Sequence, residues 1–137
     1  MAVQSCVEVK SEWEIVGARQ VGRNLAKEIG FGTVDQARIA TAISELARNI
    51  YLYAKKGTIC IERVVGTETN AFQPGIKITA SDHGPGIEDI RQVMEDGYTT
   101  SGGLGAGLPG VKRLMDDFQI ETSVGEGTVI SVTKWLK

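Results

Sequence analysis

The sequence predicts an α+β fold, a two-layer sandwich in which a mainly antiparallel sheet is covered on one face by helices. Three observations carry that expectation. Apolar residues recur at helical spacing in two long segments near the start. Five shorter runs alternate in polarity or are rich in β-branched residues. The last two of these runs flank Gly125-Glu126-Gly127, a tight hairpin signal. The element order is strand, two helices, two strands, two helices, two strands. A chain of 137 residues has the length of one domain with one core, so a single domain over 1–137 is expected.

Residues 3–10 alternate as a short strand with one wet face. Ser11 and Glu14 then stand at capping-box spacing. Ala18, Val21, Leu25, Ala26 and Ile29 follow at helical intervals until Gly30 and Gly32 stop the pattern. A second helix is expected from Thr33 or Val34 to Ala54, with Ile39, Ile43, Leu46, Ala47 and Ile50 as its core stripe. Lys55, Lys56 and Gly57 end it, with cations at the negative end of the helix dipole. Thr58 to Val65 reads as a strand, Gly66 to Gly75 as its turn, and residues 75–80 as the returning partner. Residues 88–96 read as a short amphipathic helix, 97–105 as a Gly/Thr/Ser loop, and 106–117 as a helix with Leu108, Val111, Leu114 and Met115 on one side. Gln119 to Val124 and Thr128 to Trp135 are the closing strands.

Composition narrows the function. Fifteen basic groups stand against 17 acidic ones, so the charge of −2 argues against non-specific adhesion to nucleic acid or anionic lipid. No run approaches the roughly 18 apolar residues of a membrane helix, and residues 1–6 lack a leader pattern; no nucleic-acid or membrane partner is expected. Cys6 and Cys60 are too few for a disulfide framework, which points to a reduced, cytoplasmic protein. With one histidine and two separated cysteines, any metal must be a hard cation shared with a ligand. The 17 glycines exceed the usual share of about 7%, and Gly84, Gly86, Gly97, Gly102, Gly103, Gly105, Gly107 and Gly110 crowd into one stretch.

Three constellations carry chemistry. Glu45 and Asn49, one turn apart on the second helix, lie away from its apolar stripe and about 5–6 Å from each other. As surface residues they would be two solvated polar groups. As a site they are a carboxylate able to orient or deprotonate a hydroxyl beside an amide oxygen able to ligate Mg²⁺. Asp82-x-Gly84-x-Gly86 follows a strand. It reads as an ordinary turn, or as a carboxylate placed to accept from an exocyclic amine such as that of adenine, with glycines that permit close approach to a flat ligand. His83, alone in this loop, is expected to be structural or exposed. Gly103-Leu104-Gly105-Ala106-Gly107-Leu108 leads into a helix, where main-chain N–H groups can gather around phosphate oxygens. Neither the P-loop nor the Rossmann signature is present.

Taken in order, these motifs resemble the Bergerat-type ATP site of the GHKL superfamily of kinases and ATPases, over residues 33–134. The resemblance implies ATP and Mg²⁺ as cofactors, Glu45 as general base, Asn49 as the Mg²⁺ ligand and Asp82 as the partner of the adenine amine. It implies a phosphate lid from the Gly-rich segment, and Thr128 as a hydroxyl that assists adenine binding. The stretch from Gly97 to Gly105 is short for such a lid, as in the small bacterial serine kinases that control sigma factors. The segments Ser44-Glu45-Leu46-Ala47-Arg48-Asn49-Ile50, Gly97-Tyr98-Thr99-Thr100-Ser101-Gly102-Gly103-Leu104-Gly105 and Gly107-Leu108-Pro109-Gly110-Val111-Lys112-Arg113-Leu114-Met115-Asp116 are most similar to the stressosome switch kinases among them. That similarity implies a serine/threonine kinase acting on STAS-domain proteins, and a switch protein that activates a metal-dependent phosphatase.

A histidine-kinase catalytic domain shares the fold, but it needs a histidine-bearing dimerisation helix, and His83 lies inside the nucleotide motif. Gyrase-like and chaperone-like ATPases need a transducer domain for which 137 residues leave no space. The rival from another class is a nucleotide-dependent module that sequesters or activates a partner without phosphorylating it. Glu45 favours the enzyme, since a pure binder needs no base beside the metal. Arg48 and Lys55 are further candidates for phosphate or substrate contact.

Overall fold

In the computed structural model, which describes residues 4–66, 73–87, 94 and 107–137, the alternating start forms β1 (Gln4–Val9). Helix α1 (Glu12–Ile29) begins after Ser11, whose backbone is extended at φ −153°. The expected capping box forms in altered shape. The Ser11 hydroxyl donates to Glu14 Oε2 at 2.7 Å, and the Lys10 N–H, one residue further out than usual, donates to Oε1 at 3.0 Å. These bonds, the Ser11 hydroxyl foremost, hold the Glu14 carboxyl below its ordinary range. Gly30 closes the helix in the left-handed conformation, φ 118°.

Helix α2 (Thr33–Asn49) buries Ile39, Ile43, Leu46 and Ala47 of the stripe expected from spacing, and Ala40 and Ala42 besides; Ile50, the last of that stripe, is buried just beyond its end. Its continuation differs from the expectation. Ile50–Ala54 form a π-helical turn instead of α-helix, ended by Lys55 at φ 69°. Such wide turns recur at functional sites, and this one carries the end of α2 onto the sheet.

Strands β2 (Gly57–Val65) and β3 (Pro74–Asp82) pair antiparallel along their whole length. The carboxylate expected just beyond the strand is thus its last residue. The hairpin opens with a bond from Gly66 N–H to Gln73 O at 2.8 Å. Residues 67–72 of the expected turn, most of the expected helix at 88–96 and the loop at 97–105 lie outside the described residues. Helix α3 (Gly107–Leu114) is shorter than the expected 106–117. Lys134 Nζ caps its last carbonyl, Leu114 O, at 2.9 Å, and the Asp116 N–H already bonds Thr133 O at 2.9 Å. Sheet pairing therefore claims the chain before the helix can continue. Strands β4 (Asp117–Ser123) and β5 (Gly127–Trp135) form the closing hairpin.

The five strands lie in the order β1-β2-β3-β5-β4, every pair antiparallel, with β5 inserted beside β3. Ile59, Ile61, Ile76, Ile78 and Val132 have no exposure, and they form one core with Ile39, Ile43 and Leu46 of α2 and Val111 of α3. Full burial of each such side chain contributes about 1.5–3 kcal/mol. Helices thus cover one face, as the α+β reading expects. One expectation is overturned: Cys6 and Cys60 form a disulfide, not two thiols. The register of β1 against β2 sets these residues directly opposite each other, at a Cα separation of 4.1 Å.

Candidate active site

Glu45 and Asn49 sit on the last two turns of α2. Glu45 is only 3% exposed, and among the described residues it has no hydrogen bond or ion pair. Two solvated polar groups would not look like this. Its side chain is thus enclosed by the fold, with the carboxylate left free of protein donors among the described residues. Asn49 is half-buried one turn further on. Arg48, between them in sequence, buries its Nε without a partner.

The second cluster lies at the end of the sheet. Asp82 stands opposite Gly57 on β2 and Thr128 on β5. Its Oδ1 accepts the Gly84 N–H at 2.9 Å, an Asx-type turn that fixes the carboxyl and leaves Oδ2 without a donor among the described residues. Thr128 is buried, and its hydroxyl shares a 2.9 Å hydrogen bond with that of Thr122. Thr122 also accepts the Ile87 N–H at 2.9 Å and donates to Gly127 O at 3.1 Å. Thr122 is a member of the cluster that the motifs missed. The hairpin at Gly125-Glu126-Gly127 was the signal available, because it sets residue 122 opposite 128.

Gly84 and Gly86 serve packing first. A Cβ on Gly84 would lie 2.6 Å from Ala54 Cβ, on the π-helical turn. Gly86, at φ 79°, presses its backbone on Ser123 O, and Pro85 O accepts the Gly125 N–H at 2.8 Å. The loop is thereby clamped between the end of α2 and the β4–β5 hairpin. Gly57 completes the junction: a Cβ there would meet Ile50 Cγ2 at 2.7 Å and Asp82 Cβ at 3.1 Å. Gly127 is the tightest point, with φ 125° and no room for a Cβ against Asp82 O and His83 Cα. Gly127→Ala is therefore expected to destabilise the fold by about 3 kcal/mol or more. A shift of the urea midpoint at unchanged slope checks this. His83 is exposed, as expected.

The structure thus joins the Asp82 loop, Thr128 and the end of α2. Of the third motif, Gly107 opens α3 at φ 56° and Leu108 is buried in the core beside α2; Gly103, Leu104, Gly105 and Ala106 lie outside the described residues. The donors suit a magnesium nucleotide. Asp82 offers a free carboxylate oxygen to an amine, and Asn49 an amide oxygen to a hard cation. Among the described residues no group of three His, Cys, Asp or Glu could hold a metal. A cation here would draw its remaining ligands from phosphate and water.

The structure thus offers a buried glutamate on a helix and a carboxylate–threonine corner at the end of an antiparallel sheet, and the class of protein is given by its similarity to known proteins. Residues 34–137 match the family model of histidine kinase-, DNA gyrase B- and HSP90-like ATPases, and the chain belongs to that family. The chain is 67% identical to the serine/threonine-protein kinase RsbT of Bacillus subtilis (strain 168), over 98% of both chains. It is 32% identical to the anti-sigma F factor of Thermoanaerobacter sp. (strain X514), over 87% of this chain and 83% of that one. The mycobacterial sensor histidine kinase MprB shares the fold, with a TM-score of 0.55, 14% identity and 97% of each chain covered. Within the family this chain is a serine/threonine-protein kinase that uses ATP.

Proposed function

We propose that the chain transfers the γ-phosphoryl group of ATP to a Ser or Thr of STAS-domain proteins of the stressosome, and that it also binds and activates a metal-dependent serine phosphatase in sigma-factor signalling. Supporting this are the two relatives, a serine/threonine kinase and an anti-sigma factor. The observation that carries the phosphotransfer is Glu45, a residue only 3% exposed that has no hydrogen bond or ion pair among the described residues. It would take the proton of the acceptor hydroxyl as the new O–P bond forms and the β–γ bridging bond breaks, with ADP leaving. Asn49 would ligate Mg²⁺, which when bound offsets phosphate charge. Asp82 Oδ2 would accept from the adenine amine, with Thr128 beside it. Main-chain N–H groups around Gly103, Leu104, Gly105 and Ala106, leading to Gly107 and Leu108, would cradle phosphate. Gly84 and Gly86 hold the adenine loop in place. The proposed location is the cytoplasm; no helix among the described residues is long and apolar enough to cross a membrane.

Transfer of label from γ-labelled ATP to purified STAS-domain proteins tests the proposal, beside ATP calorimetry with and without Mg²⁺. Label on a Ser or Thr, with ATP binding strengthened by Mg²⁺, is expected. ATP binding with no transfer to any acceptor would instead favour a regulatory module that acts by binding alone.

A further inference from the structure

One row of residues crosses three strands at the end of the sheet. Asp82 on β3 stands opposite Thr128 on β5, and Thr128 stands opposite Thr122 on β4. Directly opposed residues share a face of the sheet, so the carboxylate and the two hydroxyls lie side by side. The next row on that face, Ala80, Ile130 and Ile120, belongs to the apolar core. The core therefore gives way, in one step, to three polar side chains.

Their hydrogens can be counted. Thr122 Oγ1 has three neighbours and a single hydrogen of its own. The Ile87 N–H, at 2.9 Å, can only donate; Gly127 O, at 3.1 Å, can only accept; the Thr128 hydroxyl, at 2.9 Å, can do either. One distribution makes all three bonds: Thr122 donates to Gly127 O and accepts from both Ile87 and Thr128. The Thr128 hydrogen is then spent inside the protein, and its oxygen is left with lone pairs alone. Asp82 Oδ2, without a donor among the described residues, is an acceptor as well. The corner formed by Asp82 and Thr128 thus presents acceptors only.

We propose that Thr122 is a positioning residue for nucleotide selection. By taking the Thr128 hydrogen it keeps that hydroxyl an acceptor, so the corner takes a 6-amino purine, whose amine supplies two hydrogens. A 6-oxo purine meets the same corner with a carbonyl oxygen, and acceptors facing an acceptor leave every partner without a hydrogen. Thr122 touches no nucleotide itself and acts through Thr128. The shape of the Asp82 loop does not depend on it alone. The Gly84 N–H on Asp82 Oδ1, the Gly125 N–H on Pro85 O and the contact of Gly86 with Ser123 also hold that loop. The assignment rests on the adenine reading of Asp82 and Thr128 proposed above.

The test is calorimetric titration of the full chain, in Mg²⁺, with ATP, inosine triphosphate and inorganic triphosphate. Inosine carries an oxygen where adenine carries its amine. Wild type is expected to prefer ATP over inosine triphosphate by about tenfold or more. Thr122→Val keeps the shape of the side chain and frees the Thr128 hydrogen. ATP should then bind about fivefold or more weakly while inosine triphosphate holds or tightens, and triphosphate affinity should not change. Thr122→Ser, which retains the hydroxyl, should restore the wild-type preference to within about twofold. A residue that only supported the fold would lower both nucleotides equally, and an unchanged preference in Thr122→Val overturns the proposal. So does a Thr122→Ser variant that behaves like Thr122→Val. Should Thr122→Val fail to fold by circular dichroism, Thr122→Ala carries the same comparison. A wild type without preference for ATP, or an Asp82→Asn variant that keeps full ATP affinity, removes the adenine reading and this assignment with it. Preference in wild type and loss in Asp82→Asn, with Thr122→Val unaltered, removes the role of Thr122 alone.

Discussion

Glu45→Gln is expected to slow phosphoryl transfer by about 10²–10⁴-fold while leaving ATP affinity within about twofold. The amide fills the same volume and cannot take a proton from the acceptor hydroxyl. Because Glu45 is only 3% exposed and unpaired among the described residues, a second result is expected from the same variant. Its Tm should hold or rise, since an uncompensated charge has been removed from a water-poor position. A merely structural carboxylate would behave in the opposite way, with transfer retained and stability lost. Single-turnover transfer assays, calorimetric ATP binding and a thermal melt on one preparation separate the two cases. Transfer near the wild-type rate would show that the base is another group.

Asp82→Asn is expected to weaken ATP binding by about 1.5–3 kcal/mol, or about 10–150-fold. Asn can still offer its oxygen to the Gly84 N–H, which the structure places 2.9 Å from Oδ1. The loop should therefore keep its shape. The amide NH₂ then occupies the position of Oδ2 and presents a donor to the donor of the adenine amine. Titration with ATP and with inorganic triphosphate distinguishes this from general damage. Triphosphate affinity should be unchanged when ATP affinity falls; an equal fall in both would remove the adenine assignment. Together the variants divide the site, one abolishing chemistry on bound nucleotide and the other weakening the binding itself.

Some of this was visible along the chain. Helical and strand periodicity are local properties, so α1, α2 and all five strands were legible within a few residues, as was the hairpin at Gly125-Glu126-Gly127. Helix α3 was overextended because its end is decided by Asp116 bonding a distant strand. The glycines of the Asp82 loop were read as space for a ligand, but the structure shows Gly84 and Gly86 admitting Ala54 and Ser123. Spacing identifies a position that requires glycine without saying what approaches it.

By itself the sequence determined the α+β class, the positions of the elements, and the residue types at Glu45, Asn49, Asp82 and Thr128, because each depends on intervals of a few residues. Only the tertiary structure decided that Glu45 is buried without a partner among the described residues, that Thr122 joins Thr128, and that Cys6 meets Cys60. Burial and cross-strand register are set by elements far apart in the chain, and no local pattern encodes which face a distant neighbour will cover.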